Sequence, residues 1–231
     1  MNKRILIALA LSAAGVAQAQ QQPGPSFSIG LRAWNTQWDT FSYDANAGGD
    51  PIVTQSPAED KLVLLPVLSM RWRDFTGSVS LYPSNEHDFV NGARGTRKEF
   101  DLNVGYFVIP TVALTLGYKK IEQADGPTTY ALSGPVIGVS GTAPLASDLA
   151  LYGSFGMGRL KSTSSSTVKF DADYRLSELG VAYTLPMATF VKAITFTAGY
   201  RTQVLTSKEA LGNQDGRDLT QGFTFGALAS F

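Results

Sequence analysis

Phe223-Thr224-Phe225-Gly226-Ala227-Leu228-Ala229-Ser230-Phe231 closes the chain and decides the fold. Phenylalanine or alanine fills every odd position, and Thr224, Gly226, Leu228 and Ser230 fill the even ones. Successive side chains of a strand point to opposite faces, so the segment is a strand with one continuous apolar face. A soluble strand hides that face in a core. Here the same pattern recurs along the chain with no compensating set of core helices.

Working back from the terminus, period-2 alternation marks further strands. Phe27, Ile29, Leu31 and Ala33 form the first, and Leu62, Leu64, Leu68, Met70 and Trp72 share one parity in the second. Phe75 to Leu81, Phe100 to Val108 and Val112 to Tyr118 follow, then Tyr130 to Gly141, which Gly134, Pro135 and Gly138 make ambiguous in facing. Leu149 to Met157 is the seventh. In the eighth the parity changes between Leu176 and Leu179, which predicts a bulge near Ser177 and Glu178. Ile194 to Tyr200 is the ninth and the quoted segment the tenth; eight is the alternative if two weak hairpins are misread.

The connections alternate in length. Asp44 to Asp60, Ser84 to Arg97, Lys120 to Thr129, Lys161 to Lys169 and Thr206 to Arg217 are long and polar. Between them lie tight links at Arg73-Asp74, Ile109-Pro110-Thr111, Thr142 to Asp148 and Pro186 to Phe190. Short turns at one end and longer loops at the other are the habit of a transmembrane barrel with its N-terminus on the periplasmic side.

Met1 to Ala19 has the parts of a secretory signal: Lys3 and Arg4, an apolar run from Ile5 to Val16, then Ala17-Gln18-Ala19, with cleavage expected after Ala19. The run is about a dozen residues, short of the roughly 20 that a membrane-spanning helix needs. Loss of Lys3 and Arg4 leaves 17 of the 19 basic residues against 19 acidic ones, a balance that does not suggest a nucleic-acid partner. The sequence contains 0 cysteines, so an exported chain of this kind draws stability from something other than disulfides. The longest later apolar run, Leu62 to Leu68, contains Pro66 and runs into Arg71 and Arg73, which argues against a helical membrane protein.

A terminal phenylalanine on an alternating strand, behind an export signal, resembles the assembly signal of outer-membrane barrels. Over nearly the whole mature chain the pattern is similar to small Gram-negative barrels of the OmpA/OmpW-like kind. The resemblance implies an all-β, closed antiparallel transmembrane barrel of about ten strands over residues 27–231. A signal peptide over 1–19 and a short extension over 20–26 would precede it. It further implies residence in the outer membrane, contact with outer-membrane lipid and lipopolysaccharide, and recognition of Phe223, Phe225 and Phe231 by the barrel assembly machinery.

The parity of the terminal strand assigns Arg32, Arg71, Arg73, Asp101, Lys119, Asp171, Asp173, Arg175, Glu178 and Arg201 to the lumen. In so narrow a barrel such charges would form either an ion-paired plug or a narrow pore for small solutes with a slight preference for anions. His87, the single histidine, falls in the expected extracellular segment Asn85-Glu86-His87-Asp88, where a solvated role is expected. Trp34 and Trp38 are expected to be interface anchors or a stacking platform at the outer end of the first strand.

Asp171-Ala172-Asp173 is superficially similar to the acidic pair of the omptin proteases, but no Asp-x-His follows and the order along the chain differs. No calcium loop, phosphate cradle, Cys/His cluster or nucleophile elbow is found, so no cofactor or metal is expected. The sequence therefore predicts a non-enzymatic barrel, structural or a narrow channel. The alternative is a surface enzyme acting on lipid A or peptides.

Overall fold

The computed structural model describes residues 24–45, 51–125, 127–207 and 216–231. The expected signal segment, with Ala17 and Ala19, lies outside them. The strands are β1 (Ser26–Ala45), β2 (Pro51–Pro57), β3 (Lys61–Trp72), β4 (Phe75–Asp88), β5 (Arg94–Ile109), β6 (Val112–Asp125), β7 (Thr128–Pro144), β8 (Leu149–Ser162), β9 (Asp171–Pro186), β10 (Ala193–Ser207) and β11 (Gly216–Ser230). Each pairs antiparallel with its neighbours, and β11 pairs with β1 to close the ring. β2 and β3 both pair with β1, β3 along Ser26–Thr36 and β2 along Asp39–Ala45. They are one barrel position interrupted near Ala58, so the ring has ten positions.

Closure is required by the solvent. A free strand edge in hydrocarbon would leave N–H and C=O groups without partners, at several kcal/mol each. The seam runs from Ser28↔Ser230 to Phe41↔Arg217, and beyond the last strand residue Phe231 N–H donates to the Phe27 carbonyl at 2.8 Å. The Phe231 ring packs on Phe190 at 5.1 Å. The terminal residue is thus the last stitch of the seam.

Apolar side chains stand outside. Ile29, Leu31, Leu62, Leu64, Leu68, Leu102, Val104, Leu114, Leu116, Leu179, Phe223 and Phe225 are all exposed. Trp72, Phe75, Tyr106, Tyr118, Tyr183 and Phe190 add outward aromatics, whereas Phe107 is buried inside. Above the apolar belt the outer face turns polar, with Lys98 and Lys120 on Glu122 and Arg159 on Asp171.

The tight turns fall at the end where β1 begins and β11 ends, and the longer hairpins at the other, the end expected to be extracellular. Those hairpins are strand over much of their length. β4 runs to Asp88 and β5 begins at Arg94, so most of the expected loop Ser84 to Arg97 is a ribbon. Part of the expected loop Asp44 to Asp60 is β2. Polar outward residues above the lipid belt hide this continuation in the sequence, because alternation there is no longer apolar against polar.

The bulge expected near Ser177 does not form. β9 keeps one register against β8 and β10 through that point, and Tyr174, Leu176 and Glu178 all face inward. The apparent change of parity is an apolar pair on the inner face, Tyr174 and Leu176, followed by Leu179 and Val181 on the outer one. Glycine makes room for one of the lumen aromatics. A Cβ on Gly180 would lie 2.7 Å from the Tyr152 ring.

Removal of Phe231 is expected to slow assembly and leave precursor in the periplasm, while the unaltered protein shows heat-modifiable migration in detergent gels. Pulse-chase fractionation checks the first and gel mobility the second.

Candidate functional site: a charged plug across the lumen

The lumen is built in tiers. At the periplasmic end Ser28 bonds Ser230 at 2.9 Å and Thr184 bonds Thr195 at 3.1 Å. Phe107, Ala113, Ala150, Tyr152 and Ala182 pack above them. Next comes a layer of charge, flanked by two apolar clusters. Trp34, Val63, Leu65 and Tyr82 form one, and Ile121, Leu132, Leu160, Ala172, Tyr174, Leu176 and Leu205 the other.

The charged layer is continuous. Arg32 of β1 donates to Glu178 of β9 at 3.0 Å, and the other carboxylate oxygen of Glu178 accepts from the Tyr152 hydroxyl at 3.0 Å. Arg201 of β10 lies 3.6 Å from Glu178 and 3.8 Å from Asp101 of β5. Lys119 of β6 donates to Asp101 at 2.9 Å and to Glu99. Glu99 also accepts from Arg97 at 2.6 Å and from Gln203 at 3.3 Å, while Arg97 donates to the Gln203 side-chain oxygen at 3.1 Å.

In the ten-position ring β5 and β10 are five places apart, the greatest separation available, so these bonds cross the full width of the lumen. Three cations also stand over aromatic faces: Arg201 over Trp34 at 5.1 Å, Arg97 over Trp38 at 5.5 Å and Lys119 over Tyr174 at 5.5 Å. A cavity of about 20 Å³, bordered by Asp101, Asn103, Thr115, Lys119 and Arg201 among others, lies beside the layer. That is about the space of one water.

The expected lumen residues divide into three groups. Arg32, Asp101, Lys119, Glu178 and Arg201 lie in the charged layer. Arg71 is apart from them, at the periplasmic end with its guanidinium 4.2 Å over the Phe107 ring. The expectation fails for Arg73, Asp171, Asp173 and Arg175. Arg73 occupies the turn after β3 with φ of 55° and stacks on the outward Trp72. Asp171, Asp173 and Arg175 alternate with inward Ala172, Tyr174 and Leu176, so they face outward, and Asp171 pairs there with Arg159. With Arg73 and Arg175 outside, the layer holds Arg32, Arg97, Lys119 and Arg201 against Glu99, Asp101 and Glu178, while Asp218 faces Arg97 from β11. The predicted anion preference loses its basis.

Sequence reasoning missed Arg97, Glu99, Gln203 and Tyr152. Glu99 was within reach, because Glu99, Asp101 and Asn103 share a parity. Arg97 was not, because it stood in a segment expected to be loop.

His87, expected in a solvated loop, is buried inside β4. Its Nε2 is 2.8 Å from the Tyr82 hydroxyl and its ring meets Trp38 edge-on at 5.5 Å. Trp34 and Trp38, expected at the membrane interface, are buried in the lumen as well. His87 faces inward while Asp171 and Asp173 face outward, so the residues of the omptin comparison do not converge. Among the described residues no group of three His, Cys, Asp or Glu side chains could hold a metal ion.

The outer-membrane protease OmpT of Escherichia coli has a similar fold, with a TM-score of 0.53 at 12% identity, covering 95% of this chain and 100% of that one. A Pseudomonas aeruginosa FadL homologue matches with a TM-score of 0.35 at 8% identity, and the P. putida toluene transporter TodX with 0.34 at 9%, each over 90% of both chains. No protein-family model matches the chain. No curated protein matches it either. The closed barrel with its apolar exterior is that of an outer-membrane protein.

Removing one member of a buried ion pair strands its partner, at about 3–5 kcal/mol. Glu178→Ala would strand Arg32, Arg201 and the Tyr152 hydroxyl together. It is expected to lower the free energy of unfolding, read from urea titration in detergent, by an amount in that range, and Glu178→Gln by less.

Proposed function

We propose that this protein is a structural outer-membrane barrel whose lumen is held shut by an ionic plug, and not a constitutively open pore. The observation that carries this reading is the crossing from β5 to β10 through Arg97, Gln203, Glu99, Asp101 and Arg201. A solute passing along the axis would have to break several buried charge-assisted hydrogen bonds at once, and each charge would then stand unpaired in a low-dielectric passage. In this reading the chain is cleaved after Ala19. The outward Phe223, Phe225 and Phe231 are what the assembly machinery engages, and the exterior belt contacts lipid and lipopolysaccharide.

A surface enzyme would need a nucleophile or base open to substrate at the rim. His87 is 1% exposed and sits beneath aromatic rings. That favours the structural reading.

Refolded protein in planar bilayers at pH 7.5 is expected to show no steady conductance. Replacing Arg97 and Arg201 together with Ser removes both rungs and should yield a small, steady one. Steady conductance of the unaltered protein at that pH would overturn the reading.

A further inference from the structure

Above the charged layer Trp38, His87 and Phe89 form a lid at the extracellular end. The Trp38 ring lies 5.5 Å from His87, 5.1 Å from Phe89 and 5.5 Å from the Arg97 guanidinium below it. Gly95 pairs with His87 across β4 and β5, and a Cβ there would fall 2.9 Å from Phe89 and 3.1 Å from Trp38, so the rings sit directly on the backbone.

His87 in this lid has no acid of its own. Nε2 is taken by Tyr82, and Nδ1 is buried without a hydrogen bond. From β5 it meets Arg97 and Glu99, from β3 Lys61, and from its own strand Tyr82 and Asp88; the contact from β1 is the uncharged Trp38. Both acids are engaged elsewhere, Glu99 by Arg97 and Lys119 and Asp88 by Arg94 at 3.0 Å. A proton on His87 would therefore add a cation beside Arg97 with no free carboxylate to receive it.

We propose that His87 is an acid-sensitive latch: its protonation expels the aromatic lid, loosens Arg97 and opens the plugged lumen to small ions. The inference rests on the closed-barrel reading. His87 lies above the lipid belt, six residues past Leu81 on β4 and between the exposed Glu86 and Asp88. Burial, Arg97 and Lys61 together lower its pKa from 6.5 to about 4.

The sign follows from linkage. An open state with His87 in water binds its proton near the ordinary value, and the closed state only near 4, so acid favours opening between those two limits. A gap of that size shifts the open-to-closed ratio by about 100-fold between neutral pH and pH 4.

The test is conductance of the refolded protein in planar bilayers in KCl, at pH 7.5 and pH 4. The unaltered protein should be silent at the first and conduct at the second, while His87→Gln should stay silent at both and His87→Lys should conduct at both. Heat-modifiable migration verifies that each variant is folded. Conductance at pH 7.5 would overturn the closed-barrel reading itself. Silence at both pH values, or acid opening that persists in His87→Gln, would overturn the latch and leave the plug standing. If His87→Gln fails to fold, NMR titration of the single histidine in the unaltered protein decides. A midpoint coincident with that of opening supports the latch, and one displaced by more than about a unit refutes it.

Discussion

Every other feature of this molecule depends on the hydrogen-bonded seam between β1 and β11. Ten positions of antiparallel strand have two edges, and in hydrocarbon neither can be left open. Joining them fixes which residues point outward, because side-chain parity is shared around a closed ring. It also supplies the restraint that disulfides give many exported proteins, in a chain with 0 cysteines. The price is a narrow interior into which ten strands must direct half of their side chains.

That interior is where the sequence departs from a water-filled channel. Small residues and glycines face aromatics, as Gly180 faces Tyr152, and the charges are drawn into one layer between apolar clusters. Buried ion pairs need not add net stability over a well-packed apolar core. What this set provides is definite positioning. Each of Arg97, Lys119 and Arg201 is held by carboxylates on one side and an aromatic face on another, so the layer can occupy the lumen without several alternative pairings.

The barrel was legible because a lipid-facing surface is a strong period-2 signal. Phe27 to Ala33, Phe100 to Val108 and Phe223 to Phe231 alternate cleanly since every second residue meets hydrocarbon. The signal ends where the lipid ends. Arg97, His87 and Trp38 lie where both faces of a strand can be polar or aromatic, and a ribbon there looks like a loop. β9 misled for a different reason: Tyr174 and Leu176 are apolar on the inner face, so hydrophobicity alone assigned Asp171, Asp173 and Arg175 to the wrong side. Pairings across the lumen, such as Arg97 with Gln203, depend on strand stagger around the whole ring, which one sequence does not display.

The central claim is that the charged layer closes the lumen, and the lack of cysteine allows a direct test of access. A cysteine introduced at Ser28, inward-facing at the periplasmic end below the layer, should resist a membrane-impermeant thiol reagent added from the extracellular side at neutral pH. A cysteine at exposed Asn91, in the β4–β5 hairpin, should react at once. Labelling of the Ser28 position at a rate approaching that at Asn91 would show an open path past the layer and contradict the account.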